Sequence, residues 1–179
     1  IVVPTDTSSC QTSSSCTGGP DEVKTVVAYG QGLLPSSVST GSGNGALTAT
    51  SAMTYDPVGN LLTVDGPLPG AGDTVRYRYN SNREPIGSAS PDPDGAGPLK
   101  HRAVRTVIDG ATGLPARVER GALSSQSDSA WAGFAPLEAV ETGYDSHRRP
   151  VTARLIAAGG VNLGNAGEYA ATGVDGLAT

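Results

Sequence analysis

Between Thr74 and Tyr79 the chain alternates strictly. Val75, Tyr77 and Tyr79 fall on one side, and Arg76 and Arg78 on the other. A period of two suits a β-strand with one buried face and does not suit a helix. Leu114-Pro115-Ala116-Arg117-Val118-Glu119 repeats the pattern with Leu114, Ala116 and Val118 inward. Val151, Ala153 and Leu155 repeat it again, with Thr152 and Arg154 outward. Val23 to Tyr29 is dense in β-branched residues, and Ala46 to Tyr55 alternates loosely and is Thr-rich. Turn residues separate these runs. In Asp56-Pro57-Val58-Gly59-Asn60 the Asp opens a turn, Pro pre-sets φ, and Gly takes a left-handed position. Flanked by strand patterns, it reads as a β-hairpin. Asp109 to Gly113 is a second tip, one residue longer. Asn80-Ser81-Asn82-Arg83 and Asp145-Ser146-His147-Arg148 are two more, without glycine. The expected fold is all-β, built from successive antiparallel hairpins.

Composition narrows this further. The chain has 179 residues with 25 Gly and 13 Pro, and Leu, Ile, Val and Phe make up only about a fifth of it. Such a chain forms thin, turn-rich structure that leans on its neighbours. Residues 1–22 read as a Ser/Thr/Gly-rich irregular lead-in, 23–156 as the hairpin array, and 157–179 as a Gly-rich partial repeat or tail. Apolar runs are far too short for a membrane span. Twelve basic residues, ten of them Arg and all dispersed, stand against seventeen acids. Without a basic run, a nucleic-acid partner is not expected, and the arginines read as solvated charges on strand faces and rims.

Ser127-Asp128-Ser129-Ala130-Trp131 begins with N-cap residues, and Trp131 and Phe134 continue at helical spacing. One short helix is expected near 127–135, its aromatics anchoring it to the sheet. Cys10 and Cys16 allow a small disulfide loop or a pair of free thiols. Zinc would need two further ligands, and His101 and His147 are distant in sequence. No metal and no cofactor is expected.

The tips align into a repeat. Tyr55-Asp56-Pro57-Val58-Gly59-Asn60-Leu61 is the best copy. Tyr79-Asn80 to Pro85, Ile108-Asp109 to Leu114 and Tyr144-Asp145 to Pro150 are looser ones. This resembles the YD repeat of bacterial Rhs proteins, in which Tyr-Asp, two variable residues and Gly-Arg-Leu recur. Arg83 and Arg148 stand in place of the tip glycine, Ile108 in place of a Tyr, and Asn60 where Arg is usual. The resemblance covers roughly residues 46–156. It implies a curved or spiralling sheet in which Tyr55, Tyr79 and Tyr144 pack into the wall. Asp56, Asn80, Asp109 and Asp145 open the turns, and Gly59 and Gly113 carry positive φ. It also implies an exported or cell-surface protein. Its partners would be neighbouring repeats of the same or a longer chain, and a C-terminal toxin payload or a cell-surface glycan.

Chemistry is sparse. No G-x-S-x-G elbow occurs. His101 sits in an apparent link, His147 on a tip, and the acids are mostly turn residues. The sequence therefore reads as a non-catalytic wall segment. The alternative is a carbohydrate- or cell-surface-binding module using Tyr77, Trp131 and Tyr169 as stacking surfaces. A hydrolase with paired carboxylates is the third reading.

Overall fold

The computed structural model describes residues 2–12 and 14–157. Among these residues eleven antiparallel strands pair in chain order, each with its sequence neighbours. The all-β hairpin fold expected from the patterning is the observed one. The chain divides into two compact units, Ile1–Tyr77 and Arg78–Thr179.

The first unit holds β1 (Asp6–Cys10), β2 (Glu22–Tyr29), β3 (Pro35–Ser42), β4 (Thr48–Tyr55), β5 (Leu61–Asp65) and most of β6 (Val75–Tyr79). Register puts Val27 opposite Val38, Met53 opposite Val64, and Val64 opposite Val75. The other face carries hydroxyls. Ser39 and Thr50 bond across β3–β4 at 2.8 Å, and Thr54 and Thr63 across β4–β5 at 2.5 Å. Such cross-strand pairs hold a sheet that has little apolar surface to bury.

The lead-in is not wholly irregular. Asp-Thr-Ser-Ser-Cys forms β1, paired with β2 from Asp6 opposite Val26 to Cys10 opposite Glu22. Four of its five residues are exposed. A strand solvated on both faces has no hydrophobic period to read, so the sequence hid it. β3 was missed for a related reason, because its Ser-rich run lacks alternation.

The second unit holds β7 (Pro85–Ala89), β8 (His101–Ile108), β9 (Pro115–Leu123), α1 (Asp128–Ala132), β10 (Pro136–Tyr144) and β11 (Pro150–Ala157). α1 is the expected helix. Ser127 caps it by accepting the Ala130 amide, and Asp128 lies in its first turn, where a negative charge suits the helix N-terminus. The β9–β10 connection folds back over the sheet and forms the core with it. Ala89, Ala103, Leu123 and Phe134 are buried together, with Trp131 packed against them.

Three face assignments need correction. Arg76 and Arg78 were expected to look outward, yet the Arg78 side chain is only 12% exposed and lies beneath α1. On the face that α1 covers in this unit, Glu119 is also buried, whereas Ala116 and Val118 on the opposite face are only half-buried. Period two shows that faces alternate; it does not show which one a later segment will cover. Val151 and Leu155 were expected inward and are 59% and 53% exposed, and Ala153 is exposed too. β11 is the last strand of the sheet among the described residues, so that column lacks a neighbour on its outer side.

Candidate functional site

The tips share one hydrogen-bond scheme. Asp56 Oδ1 accepts the amides of Val58 and Asn60, at 3.0 and 2.8 Å. Asn80 Oδ1 accepts those of Asn82 and Glu84, at 3.0 and 2.9 Å. Asp145 Oδ1 accepts those of His147 and Arg149, both at 2.9 Å. In each, the opening residue's own amide donates to the carbonyl four residues on, and its carbonyl accepts from the residue three on. Thus one side-chain oxygen serves the amides two and four residues after it, an Asx turn built into a three-residue hairpin loop. Asp109 closes a loop one residue longer, taking the amides of Ala111 and Thr112 and the Thr112 hydroxyl.

The fourth position of each short loop is left-handed, with φ of 91° at Gly59, 65° at Arg83 and 63° at Arg148. In the longer loop Gly113 takes that role at 70°. Arg83 and Arg148 therefore occupy the backbone conformation of the glycine they replace. The register slips by one residue beside Tyr55, Ile108 and Tyr144, the bulge that accompanies such a loop.

A fifth tip escaped the sequence reading. The Gly30 amide donates to the Leu34 carbonyl at 2.8 Å, Leu33 has φ of 60°, and the register slips beside Tyr29. Gly30 stands where the other tips have Asp or Asn, so the acidic signature was absent. The spacing was still legible: Tyr29 precedes Pro35 as Tyr79 precedes Pro85 and Tyr144 precedes Pro150. In an antiparallel meander, alternate connections share an end of the sheet. The tips at 29–35 and 55–61 therefore share an end of the first unit, and those at 79–85, 108–115 and 144–150 an end of the second. Two of the tip tyrosines reach back towards the preceding hairpin. Tyr29 donates its hydroxyl to Pro4 O at 2.8 Å, and Tyr144 to Pro115 O at 3.0 Å. Tyr55, Tyr79 and Tyr144 are all half-buried. Between the two tips of the first unit lies an open groove of about 820 Å³, bordered by Leu34, Met53, Tyr55, Asp56 and Val58.

The tip carboxylates are held below the ordinary Asp range. At Asp56 partial burial opposes this, but the amide and side chain of Asn60 and the amides of Val58 and Gly59 outweigh it. At Asp109 the amide and hydroxyl of Thr112 and the amide of Ala111 act together. At Asp145 the amide and guanidinium of Arg149 do so. Each group favours the charged carboxylate because it donates to it.

A second cluster lies under the β9–β10 connection. The Arg78 guanidinium donates to Gln126 O and Ser127 O at 2.9 and 3.0 Å, pairs with Asp128, and stands 5.0 Å from the Trp131 ring centroid. Trp131 stacks on Phe134 at 5.8 Å, and Arg105 stands 4.8 Å from the Phe134 ring. Glu119 is buried between Arg105 and Arg117, and Arg117 reaches on to Glu141. Arg105 on the neighbouring strand and Arg117 on the same strand meet Glu119, so the buried carboxyl group is not left without partners.

Of the stacking candidates, Trp131 is engaged with Arg78 and Phe134, Tyr77 is half-buried on β6, and Tyr169 lies outside the described residues, as does the tail from residue 158. Cys10 and Cys16 form a disulfide. His101 is not in a link. It opens β8, its Nδ1 lying 3.0 Å from Ser90 O. His147 is exposed on its tip. Among the described residues no three His, Cys, Asp or Glu side chains gather as metal ligands would. No protein-family model matches this chain, and no curated protein sequence matches it significantly.

Proposed function

We propose that this chain is a non-catalytic wall segment of an exported Rhs/YD-repeat protein, in which successive hairpins enclose a toxin payload or present a cell-surface contact. The observation that carries the reading is the tip geometry. Asp56, Asn80 and Asp145 each serve the same two amides with one oxygen, and each is followed three residues on by a left-handed residue. A hairpin cannot bury its own faces, so repeating one tip along a meander suits a wall whose units rest on their neighbours. The Cys10–Cys16 disulfide supports export, because such bonds persist in oxidising compartments.

Fractionation of the producing cells tests this. Antibody to the segment is expected to detect a much longer polypeptide in the secreted or surface fraction. A short product confined to the cytoplasm would refute the proposal. The purified chain is also expected to give no saturable Trp131 fluorescence response to a sugar panel and no turnover of glycoside substrates.

A second reading, a carbohydrate- or cell-surface-binding module, draws on the hydroxyl-bearing face of the first unit, where Ser39, Thr50, Thr54 and Thr63 lie. Glycan-array binding lost on replacing Thr50 and Thr54 would favour it.

A further inference from the structure

β1 buries almost nothing. Its residues are Asp, Thr, Ser, Ser and Cys, all exposed but the last. It is held by backbone pairing to β2, by Val27 N donating to Thr5 O at 2.8 Å, by the Tyr29 hydroxyl on Pro4 O, by the Ser8 hydroxyl on the buried Glu22 carboxylate, and by the loose Lys24–Asp6 pair at 3.8 Å. Solvated hydrogen bonds exchange readily with water, and a strand pairing without buried side chains is marginal by itself. The other end is tied more firmly. Cys10, the last residue of β1, is bonded to Cys16. The loop beyond is drawn into the start of β2 by two carboxylates. Asp21 takes the Thr12 amide and hydroxyl, and the buried Glu22 takes the Gly18 amide at 2.6 Å.

We propose that the Cys10–Cys16 disulfide is a redox-gated lock that holds β1 over the edge of β2, so that its reduction releases β1 and bares that edge. Val23-Lys24-Thr25-Val26-Val27 is rich in β-branched residues, and Val23 and Val26 are already exposed. An uncovered strand of this composition is the kind of edge that proteins shield against unwanted pairing. A dithiol reductant opens the lock by thiolate attack on one sulfur. Two electrons and two protons pass to Cys10 and Cys16, and the reductant leaves as its own cyclic disulfide. Under the exported reading above, the lock stands open during cytosolic synthesis and closes in the oxidising compartment.

Amide hydrogen exchange on the whole chain tests the lock independently of where the protein resides. The oxidised chain is compared with the chain in dithiothreitol and with a Cys10→Ser/Cys16→Ser double variant. The amides that face one another across the pair, those of Val23, Thr25 and Val27 on β2 and of Thr7 and Ser9 on β1, are expected to exchange at least tenfold faster in both reduced and variant chains. Strands β8 and β9 are expected to keep their protection. Unchanged exchange at Val27 and β1 would overturn the proposal. So would loss of protection throughout β8 and β9, which would make the disulfide a staple of the whole fold.

Discussion

The Arg78 guanidinium stands 5.0 Å from the centroid of the Trp131 ring while donating to the carbonyls of Gln126 and Ser127 just ahead of α1. A cation carried on β6 therefore satisfies the carbonyls at the entrance to the helix, faces the chain's one indole, and pairs with Asp128 in the first helical turn. Replacing Arg78 with Ala is expected to cost about 2–3 kcal/mol, since it removes a cation–π contact and two charge-assisted hydrogen bonds. Denaturant midpoints measure the cost, and a red shift of Trp131 emission reports the lifted helix. Arg78→Lys is expected to restore less than half, because one ammonium cannot replace a planar fork serving several acceptors.

Trp131 needs Gly87 as much as it needs Arg78. A Cβ at position 87 would lie 2.3 Å from Trp131 Cη2 and 2.3 Å from Val104 O. The oxygen belongs to the backbone of β8, so little can give. Gly87→Ala is expected to destabilise the chain by about 1–3 kcal/mol, the usual cost of overpacking. Loss of near-ultraviolet circular dichroism from Trp131 would accompany it.

The left-handed tip positions make opposite predictions according to the residue now present. Arg148, exposed with φ of 63°, bears a strain that glycine lacks. Arg148→Gly is expected to be neutral or to stabilise the chain by up to about 1 kcal/mol. Gly59→Val is expected to destabilise it by at least as much, because a β-branched residue fits that conformation poorly. Thermal melts of the two variants check both signs. A clear loss of stability in Arg148→Gly would show that its side chain, and not its backbone, matters at this tip.

Acid should loosen the tips unequally. Asp56, Asp109 and Asp145 have folded-state pKa values below their ordinary value of 3.8. A lowered pKa means that the carboxylates contribute stability above their unfolded value. That contribution fades as pH falls below about 4, through the folded values. At Asn80 an amide oxygen, which carries no titrating proton, serves the same two amides. The triple variant Asp56→Asn/Asp109→Asn/Asp145→Asn is therefore expected to flatten the acid limb of melting temperature against pH. An unaltered acid limb would show that other groups control acid stability.

The tips were readable because everything they need is local. A side-chain oxygen, two amides and one left-handed residue lie within five consecutive positions, so Asp56 to Asn60 could be read without knowing any neighbour. Even the missed tip at Gly30 kept the Tyr-to-Pro spacing. The α1 cap at Ser127 was readable for the same reason.

Which face of β6 would be covered was not readable. Alternation placed Arg76 and Arg78 opposite Val75, Tyr77 and Tyr79, and left both faces available. Only folding brought the β9–β10 connection back across the sheet and set Trp131 over Gly87 and Arg78.

By itself, then, the sequence determined where the chain turns and that its extended runs alternate, because these depend on backbone preference and bonds spanning a few residues. Tertiary structure alone decided that Arg78 would be covered, that Glu119 would be buried between arginines, and that the solvated run from Asp6 to Cys10 would join the sheet. Those outcomes depend on which distant groups arrive to satisfy a charge, a ring or an open strand edge, and period two carries no record of that.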